Sequence, residues 1–342
     1  MTQEEIHELV GHGRFPDGCT NPSLVETHAS WVVLTRDFAF KIKKPVRFSF
    51  LDFSTLALRK HYCEEELRLN RRLTDIYQAV VPIVKTNGQF DIGIYGEAME
   101  YAVQMERLPP GQQMNVMLEN GQVGHTEVEA LGQMIARFHQ YAEVIKKPFE
   151  AASAKNDFAD LANATPVLTA RMDEKYGTRI AAWISLASTV IEKYKSRFGE
   201  RVEEGFVRDG HGDLHAGNIF LLDQPVIFDC IEFNEHFRIN DVLSELAFLC
   251  MDLDRYGRTD LKETLIRAYR ASFPCFIKPA DEVIFQYYLL YRASVRLKVA
   301  AIKLGEELQD AARAGQVVKK NIQVLGELCE RYAERLKALA AV

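Results

Sequence analysis

His211-Gly-Asp-Leu-His-Ala-Gly-Asn218, running on through Ile219-Phe-Leu-Leu-Asp-Gln-Pro-Val-Ile-Phe-Asp229, is the stretch that decides how this 342-residue chain is read. Two apolar runs, Ile219 to Leu222 and Pro225 to Phe228, flank Asp223-Gln224, a polar pair able to turn one strand back on another. A two-residue turn there sets Leu222 opposite Pro225, Ile219 opposite Phe228 and Asn218 opposite Asp229. Directly opposed side chains share a sheet face, with Cβ atoms roughly 4.5–5.5 Å apart. Asn218 and Asp229 are therefore candidate ligands of one hard cation. Mg2+ suits them, since it is often held by one or two protein oxygens plus substrate phosphates. Asp213 precedes Asn218 by five residues in a polar loop, where it can meet a hydroxyl beside that cation.

Taken singly, these residues read as structural, because Asp, Asn and Gly gather at turns for conformational reasons. The whole spacing is more specific. H-x-D-x-x-x-x-N followed by an Asp after a short hairpin matches the catalytic loop of kinases and their metal-binding Asp. Asp213 is then the expected catalytic base, and Asn218 and Asp229 the metal ligands. His211 is expected to pack and hydrogen-bond so as to fix the loop, and His215 to hold its backbone. Asp241, ahead of an apolar helix, reads as an N-cap or loop anchor.

Composition excludes several other classes. Hydrophobic content of 47% and charged content of 26% are ordinary for a soluble globular protein, and a net charge of −6 gives no reason to expect nucleic-acid binding, which usually shows a basic face. The six cysteines are scattered without a C-x-x-C pair, which fits a reducing compartment better than a zinc or disulfide scaffold. No apolar run approaches the ~20 residues that span a bilayer. The start, MTQEEIHELV, lacks a basic, apolar leader, so the expected location is cytoplasmic and no membrane partner is expected.

Along the chain, Trp31–Leu34, the turn Thr35-Arg36-Asp37 and Phe38–Ile42 read as a β-hairpin. Ser54 is the expected N-cap of a helix running to about Leu73. Val80–Val84, Phe90–Ile94 and Tyr101–Met105 are further strands. The Pro109-Pro110-Gly111 break then marks a lobe boundary, and beyond it the pattern is helical. The expected organisation is a β-rich N-terminal lobe over 1–105, a hinge over 106–111 and a helical C-terminal lobe over 112–342. Within the first lobe, Lys41 alternates with Phe40 and Ile42 and so points to the opposite sheet face from both. Its strand is similar to the V-A-I-K strand whose Lys meets the α- and β-phosphates. CEEEL (63–67) offers its carboxylate partner: Glu66 is preferred, lying two turns before Leu73 on one face, and Glu65 is the rival one 100° step away.

With HGDLHAGN, the LGQMIARFHQ helix (131–140), FAFKIKKPV, FLDFST and CEEELRLNRRL in view, the chain resembles the aminoglycoside phosphotransferase-like (APH/choline kinase) superfamily. The string looks closest to an uncharacterised bacterial branch often fused to a P-loop kinase, a part this sequence does not carry. The resemblance implies an α+β, bilobal protein-kinase-like fold, with a small antiparallel β-sheet lobe and a larger, mainly helical one. It implies ATP and Mg2+ as cofactors and a hydroxyl of a small molecule as acceptor. It also implies that the base of the nucleotide bonds the backbone around Gln104, Glu106 and Leu108.

Two departures stand out. The segment before Trp31 has no glycine-rich loop, which leaves backbone N–H groups or the hydroxyls of Thr27 and Ser30 to meet phosphates. Only eleven residues separate Asp229 from Asp241, too few for a protein-kinase activation segment, and Gly212 stands where protein kinases carry Arg. The alternatives to a small-molecule kinase are a protein Ser/Thr kinase on the same fold and a non-catalytic nucleotide-binding regulatory module.

Overall fold

Residues 1–48, 50–94, 96–306 and 312–341 are described by the structure, a computed structural model. They divide between two units. The first comprises Met1–Asn120, His211–Asp213 and Gly217–Arg238, and the second the remainder. The loop quoted above is thus shared out residue by residue, with Asp213, Asn218 and Asp229 all in the first unit.

The first unit opens with helix α1 (Gln3–His12), which the sequence reading did not anticipate. Its signal is a capping box, with the Thr2 hydroxyl accepting from the Glu5 backbone and the Glu5 carboxylate accepting from that of Thr2. Strands β1 (Ser23–Glu26), β2 (Ser30–Leu34) and β3 (Phe38–Lys43) follow, then a small hairpin, β4 (Arg47–Phe48) and β5 (Leu51–Asp52). Helix α2 (Leu56–Asn70), β6 (Tyr77–Thr86), β7 (Gln89–Ile92), β8 (Glu100–Glu106) and the short α3 (Met114–Glu119) complete the N-terminal run. The main sheet is antiparallel with order β1-β2-β3-β8-β6-β7. Glu106–Gly111, the stretch expected as a hinge, lies inside this unit.

Period-two alternation sorts β3 between two layers. Phe40 and Ile42 join Trp31, Val33, Phe90 and Ile92 on the face covered by Ile6 and Leu9 of α1. Ala39 faces the other way, with Cys63 of α2, Tyr77, Val103 and Met105, and Lys41 and Lys43 share its side of the strand. Helix α2 is capped by Thr55, whose hydroxyl accepts from the Leu58 backbone, and it ends at Asn70. The expected cap, Ser54, is taken instead by Asp52, to which its backbone N–H and its hydroxyl both donate.

Helices make up most of the second unit: α4 (His125–Tyr141), α5 (Ala151–Ala159), α6 (Thr165–Arg171) and α7 (Lys175–Glu203), then strand β9 (Val207–Asp209). The chain next supplies the first unit with β10 (Ile219–Phe220), β11 (Val226–Ile227) and the single turn α8 (Glu235–Arg238). It continues in the second unit with β12 (Ile239–Asp241), which pairs with β9, and with α9 (Val242–Arg255), α10 (Thr259–Ser272), α11 (Pro279–Glu306) and α12 (Ala312–Ala340). Helix α9 is buried from Val242 to Asp254, and α10 packs on α4 while α12 packs on α11. This antiparallel sheet and helical remainder are the α+β class expected from the sequence.

The register of the β10–β11 hairpin differs from expectation by one residue. Ile219 pairs with Ile227 and Phe220 with Val226, so Leu221–Pro225 form the connection in place of a two-residue turn. Pro225 has no N–H to donate, which removes the ladder pair with Leu222 on which the expected register depended. A one-residue slip changes which side chains face each other. Asn218 now lies opposite Phe228, whose N–H donates to its carbonyl at 3.1 Å, and Asp229 leaves the ladder with φ +64°.

Candidate active site

Lys41 and Lys43 project from the same side of β3 onto Glu66 of α2. Lys41 Nζ donates to Glu66 Oε1 at 2.8 Å and Lys43 Nζ to Oε2 at 2.7 Å, so each lysine holds one oxygen of the carboxylate. Lys41 Nζ also lies 2.5 Å from Asp229 Oδ1, and Lys43 bonds the carboxylate of Glu232. Two cations and three anions therefore form one connected cluster. Its interior is closed to solvent at Glu66 (0% exposed), whereas the Asp229 side chain is 41% exposed and open to a ligand. Burial alone pushes Glu66 toward its neutral form, but the two lysines outweigh it and hold the carboxyl well below its usual range. Burial also opposes charge on Lys41, and there Asp229, Glu66 and Glu232 prevail and raise it well above an ordinary lysine. Glu232 has one lysine where Glu66 has two. Burial and repulsion from Glu66 raise its carboxyl, and Lys43 offsets this only in part.

Glu65 points elsewhere. It pairs with Arg68 one helical turn on, at 2.6 Å. The helix phase that the sequence left open is thus set with Glu66 inward.

Several bonds from His211 and Asn218 tie the loop that carries Asp213. His211 is buried; its Nε2 donates to the Phe228 carbonyl at 2.9 Å and its Nδ1 accepts from the Asp213 backbone at 3.2 Å. Those partners select the neutral Nε2–H tautomer, so His211 bridges the loop to the hairpin as an uncharged strut. Asn218 Nδ2 donates to the Asp213 carbonyl at 3.0 Å and lies 3.3 Å from its carboxylate. The amide nitrogen being spent there, the Asn218 side-chain oxygen is the atom left for a cation. Gly212 has φ +89°, and a Cβ on it would stand 2.9 Å from the Phe237 carbonyl oxygen and 3.1 Å from Arg238 Cα. No side chain fits, which accounts for glycine where protein kinases carry Arg.

The segment beyond Phe228 is tied at successive residues. The Asp229 N–H donates to the Tyr77 hydroxyl at 3.1 Å, that of Cys230 to Asn70 Oδ1 at 2.9 Å, and that of Ile231 to the His211 carbonyl at 3.0 Å. Asn70 is fully buried at the end of α2, and its Nδ2 donates to the Glu66 carbonyl at 2.9 Å. Asn70 thereby joins the backbone of Glu66 to that of Cys230, the residue next to Asp229.

Of the residues expected to meet a nucleotide base, Gln104 pairs with Phe40 and Ala79, inside the ladder of β8, and its side chain donates to Gln78. Glu106 N–H donates to the Ile76 carbonyl and Arg107 N–H to that of Asp37. Leu108 lies past the end of the strand, and prolines 109 and 110 after it offer no N–H. The Thr27 hydroxyl, considered for phosphate, donates to the Ser30 carbonyl and accepts from the Ser30 N–H in the β1–β2 turn, and Ser30 is buried.

Within the second unit, Asp252 Oδ2 accepts from the Ala216 N–H at 2.9 Å, and its Oδ1 from Arg255 at 2.6 Å. His215 meets the Phe248 ring edge-on. Asp241 caps α9 through the Leu243 N–H and pairs with Arg201, as a loop anchor should. His139, from the Phe-His end of α4, is buried between Glu245 and Tyr269. Sequence reasoning missed Lys43, Glu232, Asn70 and Asp252. Lys43 had a usable signal, since alternation puts it on the side of Lys41.

A model of the phosphotransferase enzyme family APH matches residues 48–278, which include Glu66, Asp213, Asn218, Asp229 and Glu232 but not Lys41. The chain belongs to this phosphotransferase family. Among solved structures, a choline/ethanolamine kinase family protein from Mesorhizobium loti shares the fold at a TM-score of 0.52 and 14% identity, over 99% of this chain and 100% of that one. A variant of aminoglycoside 2′-phosphotransferase in complex with GDP gives 0.55 at 12% identity, over 96% and 97%. Spectinomycin phosphotransferase, in complex with ADP and spectinomycin, gives 0.50 at 13% identity, over 97% and 98%. Uncharacterised proteins of Mycobacterium tuberculosis and Mycobacterium bovis are 31% identical over 297 residues, and this chain spans 56% of their length. Among the described residues no helix is long and apolar enough to cross a membrane.

Proposed function

We propose that the chain transfers the γ-phosphoryl group of ATP to a hydroxyl of a small molecule, with Mg2+ as the metal. The observation that carries this reading is Lys41, set between Glu66 at 2.8 Å and Asp229 at 2.5 Å, with Asp229 open to a ligand. Lys41 is assigned to the α- and β-phosphates and Glu66 to holding it. Asp213 is assigned as the base that orients the acceptor hydroxyl and accepts its proton, a role typically worth about 10²–10⁴ in rate. The Asn218 side-chain oxygen and the Asp229 carboxylate are hard donors that fit Mg2+, which when bound neutralises charge on the phosphates. The base is assigned to the backbone from Gln104 to Leu108, with Glu106 at the last pair of the ladder and Leu108 just past it. The stretch 106–111 serves as the hinge between lobes 1–105 and 112–342. Relatives named as choline/ethanolamine kinases and as aminoglycoside and spectinomycin phosphotransferases, and their complexes with ADP and GDP, favour a nucleotide donor and a small hydroxylated acceptor.

The first test is melting temperature with and without Mg·ATP, for the native chain and for Asp229→Ala. Ligand at 100 times its dissociation constant adds about 2.7 kcal/mol. A magnesium-dependent rise that the variant loses supports the assignment and opens a screen of hydroxyl acceptors by ADP release. No rise with ATP or GTP sinks it.

A further inference from the structure

Lys43 and Glu232 stand outside the roles assigned above, yet both are buried and bonded to each other, and Lys43 holds the second oxygen of Glu66. A lysine carried only for solubility would be in water. Burying this pair costs desolvation that packed apolar residues of the same size would avoid, so the pair is poorly explained as a device for stability alone.

We infer that Lys43 and Glu232 are positioning residues of the phosphotransfer site, and this rests on the phosphotransferase reading just given. The couple acts at two points. On one side, Lys43 fixes Glu66 Oε2, so the carboxylate cannot rotate away from Lys41 on Oε1. On the other, Glu232 fastens the segment three residues past Asp229 to β3, alongside the bonds from Asp229, Cys230 and Ile231 to Tyr77, Asn70 and His211. Charge completes the argument. Lys43 compensates Glu66 independently of Lys41, whose Nζ is shared with Asp229. Glu232 in turn pairs with Lys43, so that two lysines meet three carboxylates in a cluster whose Asp229 edge is open to a cation.

Two variants test this. The doubly apolar chain, Lys43→Met with Glu232→Leu, removes the couple while keeping its volume and should melt close to the native chain. Hydrogen exchange without ligand is expected to quicken about tenfold or more at the amides of Asp229, Cys230 and Ile231, with β3 and α2 unchanged. Glu232→Gln alters charge with little change of shape. In the presence of ATP it should need several-fold more Mg2+ for half of the melting shift, a change that simple loss of packing would not bring. If the apolar chain does not fold, the magnesium titration of Glu232→Gln decides alone. Native exchange rates at the three amides, or an unchanged magnesium midpoint in Glu232→Gln, overturn the inference. A native chain that shows no Mg·ATP shift overturns the proposed function instead, and the exchange measurement still decides whether the couple holds the segment.

Discussion

The lysine–carboxylate cluster and the first-unit part of the loop His211–Asn218 are tied by different kinds of bond. Five charged side chains fix the cluster, drawn from β3, α2 and the segment after β11. The first-unit part of the loop is tied through the His211 imidazole, the Asn218 amide and backbone groups, with a left-handed glycine near its start. Hydrogen bonds between neutral groups tolerate a change of ionisation nearby, whereas a charge cluster responds to every added or removed charge. The division suits phosphoryl transfer. In the reading proposed above, Asp213 stands among hydrogen bonds to an imidazole and an amide, while Lys41 and Asp229 stand within the charged cluster.

The largest effect expected within the loop is chemical. Asp213→Asn keeps the backbone carbonyl that receives Asn218 and keeps the bond from the Asp213 N–H to His211. It should therefore leave the magnesium-dependent melting shift intact while lowering ADP release with an acceptor about 10²–10⁴-fold. Equal loss of both would mean that the loop and the cluster are one electrostatic unit, and the contrast between them would fail.

Next in size is a break of the loop's own support. Gly212→Ala places a Cβ 2.9 Å from the Phe237 carbonyl oxygen, on backbone already at φ +89°. Left-handed strain at a non-glycine residue costs of order 1–3 kcal/mol before the clash is counted. The urea midpoint should fall accordingly, and an unchanged midpoint would show that the segment around Phe237 yields freely.

The same contrast explains what the sequence could and could not disclose. The loop was legible because its residues are contiguous: spacing alone brought Asp213 and Asn218 together, and the structure sets them 3.0–3.3 Å apart. The cluster was half legible. Strand alternation separates Lys41 from Phe40, and the same rule applied two residues further on draws in Lys43. Glu232 and Asn70 had no local signal, because what makes them matter is a partner 189 or 160 residues away. The hairpin register went wrong through a single residue, Pro225, whose missing N–H was not weighed against a tidy two-residue turn. Helix α2 shows a further limit. Ser54 and Thr55 are both good caps, and the choice fell to Asp52, which occupies Ser54.

The smallest predicted effect concerns a charge that reaches the loop at Ala216. Asp252 is fully buried and accepts from the Ala216 N–H and from Arg255. Burial pushes its carboxyl up, but Arg255, Arg296 and His215 outweigh burial and hold it below the ordinary value. A carboxyl lowered on folding stabilises fully above its unfolded value, near 3.8, and that contribution disappears as pH falls through the folded one. Asp252→Asn should therefore cost about 1–2 kcal/mol at neutral pH, with the gap to the native chain closing as pH drops below about 4. Urea unfolding of both chains between pH 7 and pH 3 measures this directly. A gap that stays constant across the range would mean that Asp252 acts on the loop through shape alone.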